Sequence, residues 1–319
     1  MKRISIILCT CNGEAYLAEQ LDSLLRQTLP FDELIIQDDA STDGTCQLVK
    51  GYQARHPDRN ICLHINPSRL GYSRNFLTAI QRATGDYIAC CDQDDIWFDQ
   101  KLEVLLQHME DCSLIFHNSI LLNDRHEELG LLYACPFPEY PSPLSSALYP
   151  HAYGHTLLFT AAVKERLASL GIPSASYDYL IYSVAAATGP VRYLASPLVY
   201  WRRHEEAATY SPVSITTSKW KGYLRALQAF CNPENRKRTR FYFSLLSRLP
   251  FYDAIAQKAV RNMASGTALG IIRTCILCGL HASAAAQEAL GMTRLARAFF
   301  LPLFFIRDHG RYIIQINKS

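Results

Sequence analysis

From its start to about Ser119 the chain alternates short β-branched runs with stretches whose apolar residues recur at helical spacing. Ile4 to Cys9, Leu34 to Gln37, Ile61 to Ile65, Tyr87 to Cys91 and Ser113 to Phe116 are brief, apolar and bounded by turn formers or charge, which predicts strands. Between the first two, Leu17, Leu21, Leu24 and Leu25 follow the breaker Asn12-Gly13 at the spacing of a helix. Such alternation requires crossover connections, so the predicted class is α/β with a mostly parallel central sheet covered on both faces. Ligands of these sheets bind beyond the carboxyl ends of the strands. Four polar loops fall there: Thr10 to Glu14, Asp38 to Gly44, Asn66 to Gly71, and Asp92 to Asp95.

The chain has 319 residues, 49% of them hydrophobic, enough for a large catalytic domain with an accessory region and too apolar for disorder. Residues Met1 to Leu8 begin with charge and continue apolar, but the run stops at Thr10-Cys11-Asn12-Gly13; it predicts a buried strand and not a leader. No apolar stretch is long enough to span a membrane. The 11 cysteines are scattered, several within apolar runs, which fits free thiols in a reducing cytoplasm. Cys275 and Cys278 have redox or zinc spacing, yet no second pair accompanies them, and packing is the expected role. Charge is unevenly spread: residues 1–214 hold 16 Lys and Arg against 25 Asp and Glu, a net of −9, whereas residues 215–319 hold 16 against 4, a net of +12.

Asp92-Gln93-Asp94-Asp95-Ile96-Trp97 directly follows an apolar strand. Three carboxylates in four residues repel one another unless a cation joins them, and oxygen ligands suit Mg²⁺ or Mn²⁺ bridging to a diphosphate. Asp95 or Asp99 would also serve as N-cap for a helix carrying Leu102, Leu105 and Leu106, but capping explains one aspartate and not three. After the second strand, Ser41 to Asp43 read as turn and cap; Asp38-Asp39 do not, and a carboxylate there can accept from a base N–H or a ribose hydroxyl. Residues 130–153, rich in Pro, Tyr and Ser, show no period and predict a long irregular loop, a lid or a substrate-binding segment. A second compact segment follows, with strands at Thr156 to Thr160 and Leu198 to Trp201 and helices around Ala161 to Leu170 and Asp178 to Ala187.

Taken in order, Ile6 to Gly13, Leu24 to Thr28, Ile35 to Asp43, Gly71 to Phe76, Gly85 to Ile88 and Asp92 to Trp97 resemble glycosyltransferase family 2. The form Asp92-Gln93-Asp94-Asp95-Ile96-Trp97 is similar to its bacterial rhamnosyltransferase-like branch. The resemblance covers about the first 110 residues and resumes at Gly154-His155-Thr156, Tyr177-Asp178-Tyr179 and Pro197 to His204. It implies a GT-A fold, the nucleotide-diphospho-sugar transferase architecture, over residues 1–214, with a nucleotide-binding half at 1–118 and an acceptor-binding half at 119–214. Residues 215–319 are then a basic, aromatic-rich helical region.

The resemblance puts Thr10, Asn12, Glu14, Asp38, Asp39, Arg74 and Gln93 at the nucleotide and Asp92, Asp94 and His204 at a Mn²⁺ or Mg²⁺ ion. Asp95, Trp97 and His155 fall on the sugar and acceptor side, and Asp178 is the general base of an inverting displacement. Asp178 equally occupies the N-cap position of the helix after it, and His204 stands beside Glu205-Glu206 as a surface residue would. The expected reaction moves a sugar, rhamnose from dTDP-rhamnose, to a saccharide acceptor that is lipid-linked if the chain contacts the membrane, in bacterial surface polysaccharide synthesis. A UDP-hexose transferase with the same machinery, or a non-catalytic nucleotide-sugar binder or assembly subunit, fits the same motifs. A dehydrogenase is disfavoured because no Gly-x-Gly-x-x-Gly loop follows the first strand, and a P-loop hydrolase is excluded for want of its Gly-Lys-Ser/Thr loop.

The basic end interleaves Lys219, Lys221, Arg225 and Arg236 to Arg240 with Trp220, Tyr223, Phe230 and Phe241 to Phe243. No nucleic-acid recognition motif accompanies them. An anionic bilayer surface is the expected partner, with Leu295 to Ile306 as a second candidate, and a packed helix with a solvated basic face as the alternative for both. The expected location is the cytoplasm, at the inner face of the membrane.

Overall fold

The computed structural model describes residues 2–135, 137–203 and 219–309, so His204 lies outside the described residues. They form two compact units that interleave along the chain, one of residues 1–137, 152–172 and 192–210, the other of 138–151, 173–191 and 211–319.

In the first unit, β1 (Ile4–Thr10) is buried along its whole length. A continuous apolar run of this kind is what a central strand covered on both faces requires. It lies between β2 (Glu33–Asp38) and β4 (Tyr87–Cys91), with β3 (Ile61–Ile65) beyond β2, all four parallel. The connecting helices are α1 (Glu14–Leu25), α2 (Thr45–Arg55) and α3 (Tyr72–Arg82). Leu17, Leu21 and Leu24 of α1 and Val49 and Tyr52 of α2 share one core cluster with Ile4, Ile6 and Leu8 of β1. Register pairs Thr10 with Asp38, Asp38 with Ile65 and Leu8 with Cys91, so the carboxyl ends of the four strands finish side by side.

Beyond β4 the sheet turns antiparallel. There β8 (Leu157–Thr160) pairs with β4, and β6 (Leu114–Leu122) pairs with β8. The edge beyond β6 holds β9 (Val191–Arg202) and the two-residue β5 (Ile96–Trp97), while β7 (Glu128–Leu131) pairs off the main path with β6. Helices α4 (Lys101–Gln107) and α6 (Ala161–Ala168) complete the unit.

The second unit is helical: α5 (Pro143–Leu148), α7 (Tyr177–Thr188), α8 (Lys219–Cys231), α9 (Pro233–Leu246), α10 (Ala254–Ala264), α11 (Ala268–Leu280), α12 (Ala282–Ala285) and α13 (Gly291–His309). The stretch 130–153 is therefore not wholly irregular. Ser142 caps α5 by accepting from Ser145 N at 3.1 Å, Pro143 fills the first helical position, and Leu144, Ala147 and Leu148 bury one face. Ser142 also donates to the Ala284 carbonyl and to Gln287 Oε1, at 2.5 and 2.6 Å, which fastens the segment to the C-terminal helices. Cys275 and Cys278, one turn apart on α11, are both buried, as packing predicts.

The aromatics of the basic region largely pack on one another. Tyr223 meets Phe300 and Phe304, with ring centroids 4.8 and 5.2 Å apart, and Tyr242 and Phe243 meet Phe305 at 5.7 and 4.9 Å. The hydroxyl of the fully buried Tyr242 donates to the Tyr179 carbonyl at 2.9 Å and lies 2.8 Å from Ser183 Oγ, joining α9 to α7. Among the described residues no helix is long and apolar enough to cross a membrane. Tyr242→Phe is expected to lower stability by about 1–2 kcal/mol, because it removes a buried hydroxyl that bonds the Tyr179 carbonyl and the Ser183 hydroxyl. Urea denaturation followed by far-UV circular dichroism measures it.

Candidate active site

Three of the four aligned strand ends are joined by buried carboxylates. Asp38, fully buried at the end of β2, accepts from Thr10 Oγ1 at 2.8 Å, Ser41 Oγ at 2.5 Å and Ser41 N at 2.8 Å. Its hydrogen bonds are internal, and it ties the first loop to the second. Asp39 accepts from Asn66 Nδ2 at 2.9 Å and Leu70 N at 2.7 Å through one oxygen and from Gly71 N at 2.9 Å through the other. It thereby shapes the third loop, where Gly71 takes a φ of 82° that a side chain would resist. Asn12 accepts from Thr42 N at 2.8 Å, and Glu14 accepts from Gly44 N at the same distance. Two non-glycine residues, Asn12 (φ 51°) and Ala40 (φ 54°), sit in the left-handed region at these loops. For alanine that conformation costs roughly 1–2 kcal/mol, which the surrounding hydrogen bonds must offset.

Gln93 reaches across from the fourth loop to the first. Its Oε1 accepts from Cys11 N at 2.8 Å and its Nε2 donates to the Cys11 carbonyl at 3.3 Å. A Cβ on Gly13 would stand 2.4 Å from that Oε1, so glycine is the residue that permits the bridge. Arg74, half-buried near the start of α3, has an Nε that is buried without a hydrogen-bond partner.

The acidic loop folds around Asp95, whose side chain is 0% exposed. One of its oxygens accepts from Arg202 N at 3.2 Å; the other, Oδ2, is buried with no partner among the described residues. Burial, then the charges of Asp94 and Asp92, push its pKa well up. Ligand atoms of Asp92, Asp95 and His155 all lie within 4.8 Å of one another. His155 Nδ1 is 3.8 Å from Asp92 Oδ2, and its Nε2 is 2.9 Å from Ser119 Oγ. Burial, with Lys101 and Arg203 nearby, holds His155 well below its usual pKa, so the ring is neutral and its contact with Asp92 is not an ion pair. A neutral imidazole with one nitrogen engaged by a hydroxyl presents the other as a metal ligand. Two carboxylates, one with an unfilled buried lone pair, and such an imidazole fit a hard divalent cation.

Behind this cluster Lys101, fully buried, donates to the His155 carbonyl at 2.7 Å and lies 3.5 Å above the Trp97 ring. Burial lowers its pKa to about 7 against the opposing pull of Asp95 and Asp92. Trp97, expected on the sugar side, is 1% exposed and belongs to the core. Arg202 donates from Nε to the Asp94 carbonyl at 3.0 Å and pairs with Glu19 at 2.5 Å, holding the acidic loop against α1. Neither Asp95 nor Asp99 caps α4, whose N-cap is Gln100; Asp99 instead pairs with Arg26 at 3.3 Å. An aromatic wall borders His155: Trp201 at 4.8 Å and Tyr153 at 6.3 Å between ring centroids.

Residues 5–124 match the family model described as Glycosyl transferase family 2. That match takes in 120 of the 319 residues. EpsE of Bacillus subtilis, named as a glycosyltransferase, is 33% identical over 166 residues, covering 51% of this chain and 58% of that protein. TuaG of the same organism, named as a teichuronic acid biosynthesis glycosyltransferase, is 26% identical over 79% of this chain and 91% of its own. RfbG of Shigella flexneri, named as a dTDP-rhamnosyl transferase, is 34% identical over 35% of this chain and 38% of its own. The structure of S. aureus TarS 1-349 in complex with UDP-GlcNAc matches 96% of this chain and 89% of that one with a TM-score of 0.57 at 16% identity. The fold is GT-A-like, a mixed α/β architecture with C-terminal helices.

The structure brings Asp92 and Asp95 to His155, whereas the metal set expected from the sequence is Asp92, Asp94 and His204. Asp94 contributes its carbonyl to Arg202. Lys101, Ser119 and Arg202 were not singled out from the sequence. The Trp201-Arg202-Arg203-His204 run drew notice for its histidine, and the arginine is the member that grips the acidic loop. Asp178 belongs to the second unit, in the first turn of α7. Ser176 is the N-cap there, and Asp178 Oδ1 accepts from Ser176 Oγ at 2.5 Å and Tyr179 N at 2.9 Å. Burial raises its pKa, and those two hydrogen bonds oppose the rise.

Asp95→Asn in metal-free protein is expected to raise stability by about 1–3 kcal/mol, since it removes a buried charge with an unfilled lone pair. The sign follows from linkage: a carboxylate with a raised folded pKa makes the fold lose stability as pH climbs from the ordinary carboxylate range to the raised value. The same variant is expected to lose Mn²⁺ binding in calorimetry. Loss of stability together with unchanged Mn²⁺ binding would show that Asp95 is a structural residue only.

Proposed function

We propose that the protein is an inverting, divalent-metal-dependent glycosyltransferase acting in bacterial surface polysaccharide synthesis, with residues 1–214 as its catalytic part. The observation that carries this reading is the cluster of Asp92, Asp95 and His155 beside the aligned strand ends of the segment that matches family 2. Asp92, Asp95 and His155 would hold Mn²⁺ or Mg²⁺, which supplies positive charge against the departing diphosphate. Asp94 and His204 remain candidates for the same ion.

The loops suit a nucleotide. Asn12, Glu14 and Gln93 lock the loops that would frame the base and ribose, Thr10 and Asp38 stiffen them from beneath, and Asp39 offers a fixed carboxylate edge. The unfilled Nε of Arg74 is a donor suited to a phosphate oxygen. Asp178 is the proposed general base: its carboxylate would take the proton of the acceptor hydroxyl as that oxygen attacks the anomeric carbon. The C–O bond to the diphosphate breaks as the new glycosidic bond forms, and the configuration inverts. A raised pKa keeps the base matched to working pH.

The donor we propose is dTDP-rhamnose, supported by the Asp-Gln-Asp-Asp-Ile-Trp form and by the likeness to RfbG. The proposed acceptor is a saccharide on a lipid carrier at the cytoplasmic face of the membrane. The donor is tested by differential scanning with dTDP-rhamnose, UDP-glucose and UDP-galactose, each with Mn²⁺. Stabilisation by dTDP-rhamnose alone is expected; a shift only with a UDP-sugar rejects the rhamnose assignment. Asp178→Asn is expected to cut turnover by about 10²–10⁴-fold with donor binding intact. In the wild type, activity should fall as pH drops through a value above the ordinary carboxylate range, because the base is then protonated. Unimpaired turnover of Asp178→Asn would remove Asp178 from the mechanism.

A further inference from the structure

Helix α11 is apolar on both sides. Its inner side buries Ile271, Cys275, Leu277 and Cys278, yet Leu269, Ile272, Ile276 and Leu280 recur at three- and four-residue spacing on the outer side. These four are 57%, 44%, 49% and 76% exposed. An outer helical face of a water-soluble surface is normally polar. The patch also continues onto the next helix. A Cβ at Gly279 would lie 3.7 Å from Phe299 and 3.9 Å from Leu295 of α13, and both of those side chains are themselves exposed.

The other flank of the stripe is cationic. A groove of about 370 Å³ is lined by Lys258, Asn262 and Arg273 together with Ile276, Leu277 and Leu280. Lys258 and Arg273 are exposed, and among the described residues no acidic side chain lines this groove. Asp253, the one acid of α10 and its cap, accepts from Ala256 N at 2.7 Å. Apolar side chains in a row with ammonium and guanidinium groups along their edge have the chemistry of the bilayer interface, acyl chain beside anionic headgroup.

We propose that the outer face of α11, extended by Leu295 and Phe299 of α13, docks flat on an anionic phospholipid bilayer, with Lys258 and Arg273 at the headgroup phosphates. At 13 residues α11 is about 20 Å long, short of a hydrocarbon core, so it lies in the interface and does not span. The surface shares Leu295 and Phe299 with the second segment that composition suggests, but it centres on α11; the rings of Tyr223, Tyr242 and Phe243 are spent on internal packing. This inference deepens the membrane-side placement proposed above and does not depend on which sugar is moved.

Co-sedimentation of the full chain with vesicles tests it. Binding is expected to phosphatidylcholine vesicles containing about one-third phosphatidylglycerol and to be much weaker with phosphatidylcholine alone. Lys258→Gln with Arg273→Gln should weaken partitioning about 30-fold, at about fivefold for each cation. Ile276→Ser with Leu280→Ser should weaken it at least as much while leaving the melting temperature unchanged, since both side chains are solvent-facing. No binding of the wild type to the anionic vesicles, or equal binding by both double variants, overturns the proposal. So does a wild-type dimer that ignores vesicles and becomes monomeric in Ile276→Ser/Leu280→Ser, since the face would then join two copies of the chain. Donor-nucleotide binding, read by thermal shift in the same preparations, should be unaffected by these variants; its absence in the wild type would count against the glycosyl-transfer reading and not against the membrane face.

Discussion

A carboxylate removed from water needs donors around it, and in this fold the donors come from neighbouring loops. Asp38 and Asp39 sit where β2 ends, one strand away from Thr10 and one from the third loop. Their hydrogen bonds to Thr10, Ser41, Asn66, Leu70 and Gly71 turn three flexible connections into one surface, to which Gln93 ties the fourth. Parallel register is the precondition. A shift of one residue in β1 against β2 would face Asp38 into the wrong side of the sheet and leave its charge buried without partners. The apolar core and the polar site are thus held by the same alignment, and the left-handed Ala40 is tolerated because its neighbours are pinned on both sides.

The acidic loop meets a harder version of the same problem. Asp92, Asp94 and Asp95 cannot all be satisfied by neutral donors, and the fold answers with cations placed behind the loop. Lys101 stands fully buried under the cluster, and Arg202 takes the Asp94 carbonyl and Asp95 carboxylate from the side. Each arrangement is costly to desolvate, as the lowered pKa of Lys101 to about 7 shows. What remains uncompensated is Asp95 Oδ2, aimed at the space it shares with Asp92 and His155. An open lone pair of this kind is the feature on which the proposed metal site rests.

Much of this was legible from residue order. The strand-helix alternation, the four polar loops and the concentration of carboxylates at the fourth follow from periodicity and turn chemistry, and the strand at Leu157–Thr160, though not its antiparallel direction, follows from its apolar run. Other parts were not. The α5 segment was hidden by its prolines, although Ser142-Pro143 is a cap followed by a first-turn proline and would have signalled a helix. Lys101 reads as an ordinary charged residue at the start of an amphipathic helix; only tertiary packing reveals that it points into the protein. His155 was noticed for the sugar side, and its approach to Asp92 depends on β8 pairing with β4, a contact between residues far apart in sequence. Local pattern carries no information about such a pairing.

The C-terminal region shows the same limit from the opposite direction. Basic and aromatic residues mixed in one segment look like an interfacial helix, but aromatic rings are also the best packing material, and here Tyr223, Tyr242 and Phe243 pack against the rings of α13. Composition cannot tell the two uses apart. What separates them is which side of each helix is already occupied. In α9 the buried side takes Tyr242 and Phe243, and the outer side takes Lys237 and Arg240 along with Phe241. In α11 the buried side takes Ile271, Cys275 and Cys278, and the outer side is again aliphatic, interrupted by a single arginine. A face that water does not favour, beside cations with no acid among the described residues lining their groove, is a part of this helical unit that internal packing does not account for and that an anionic interface would complete.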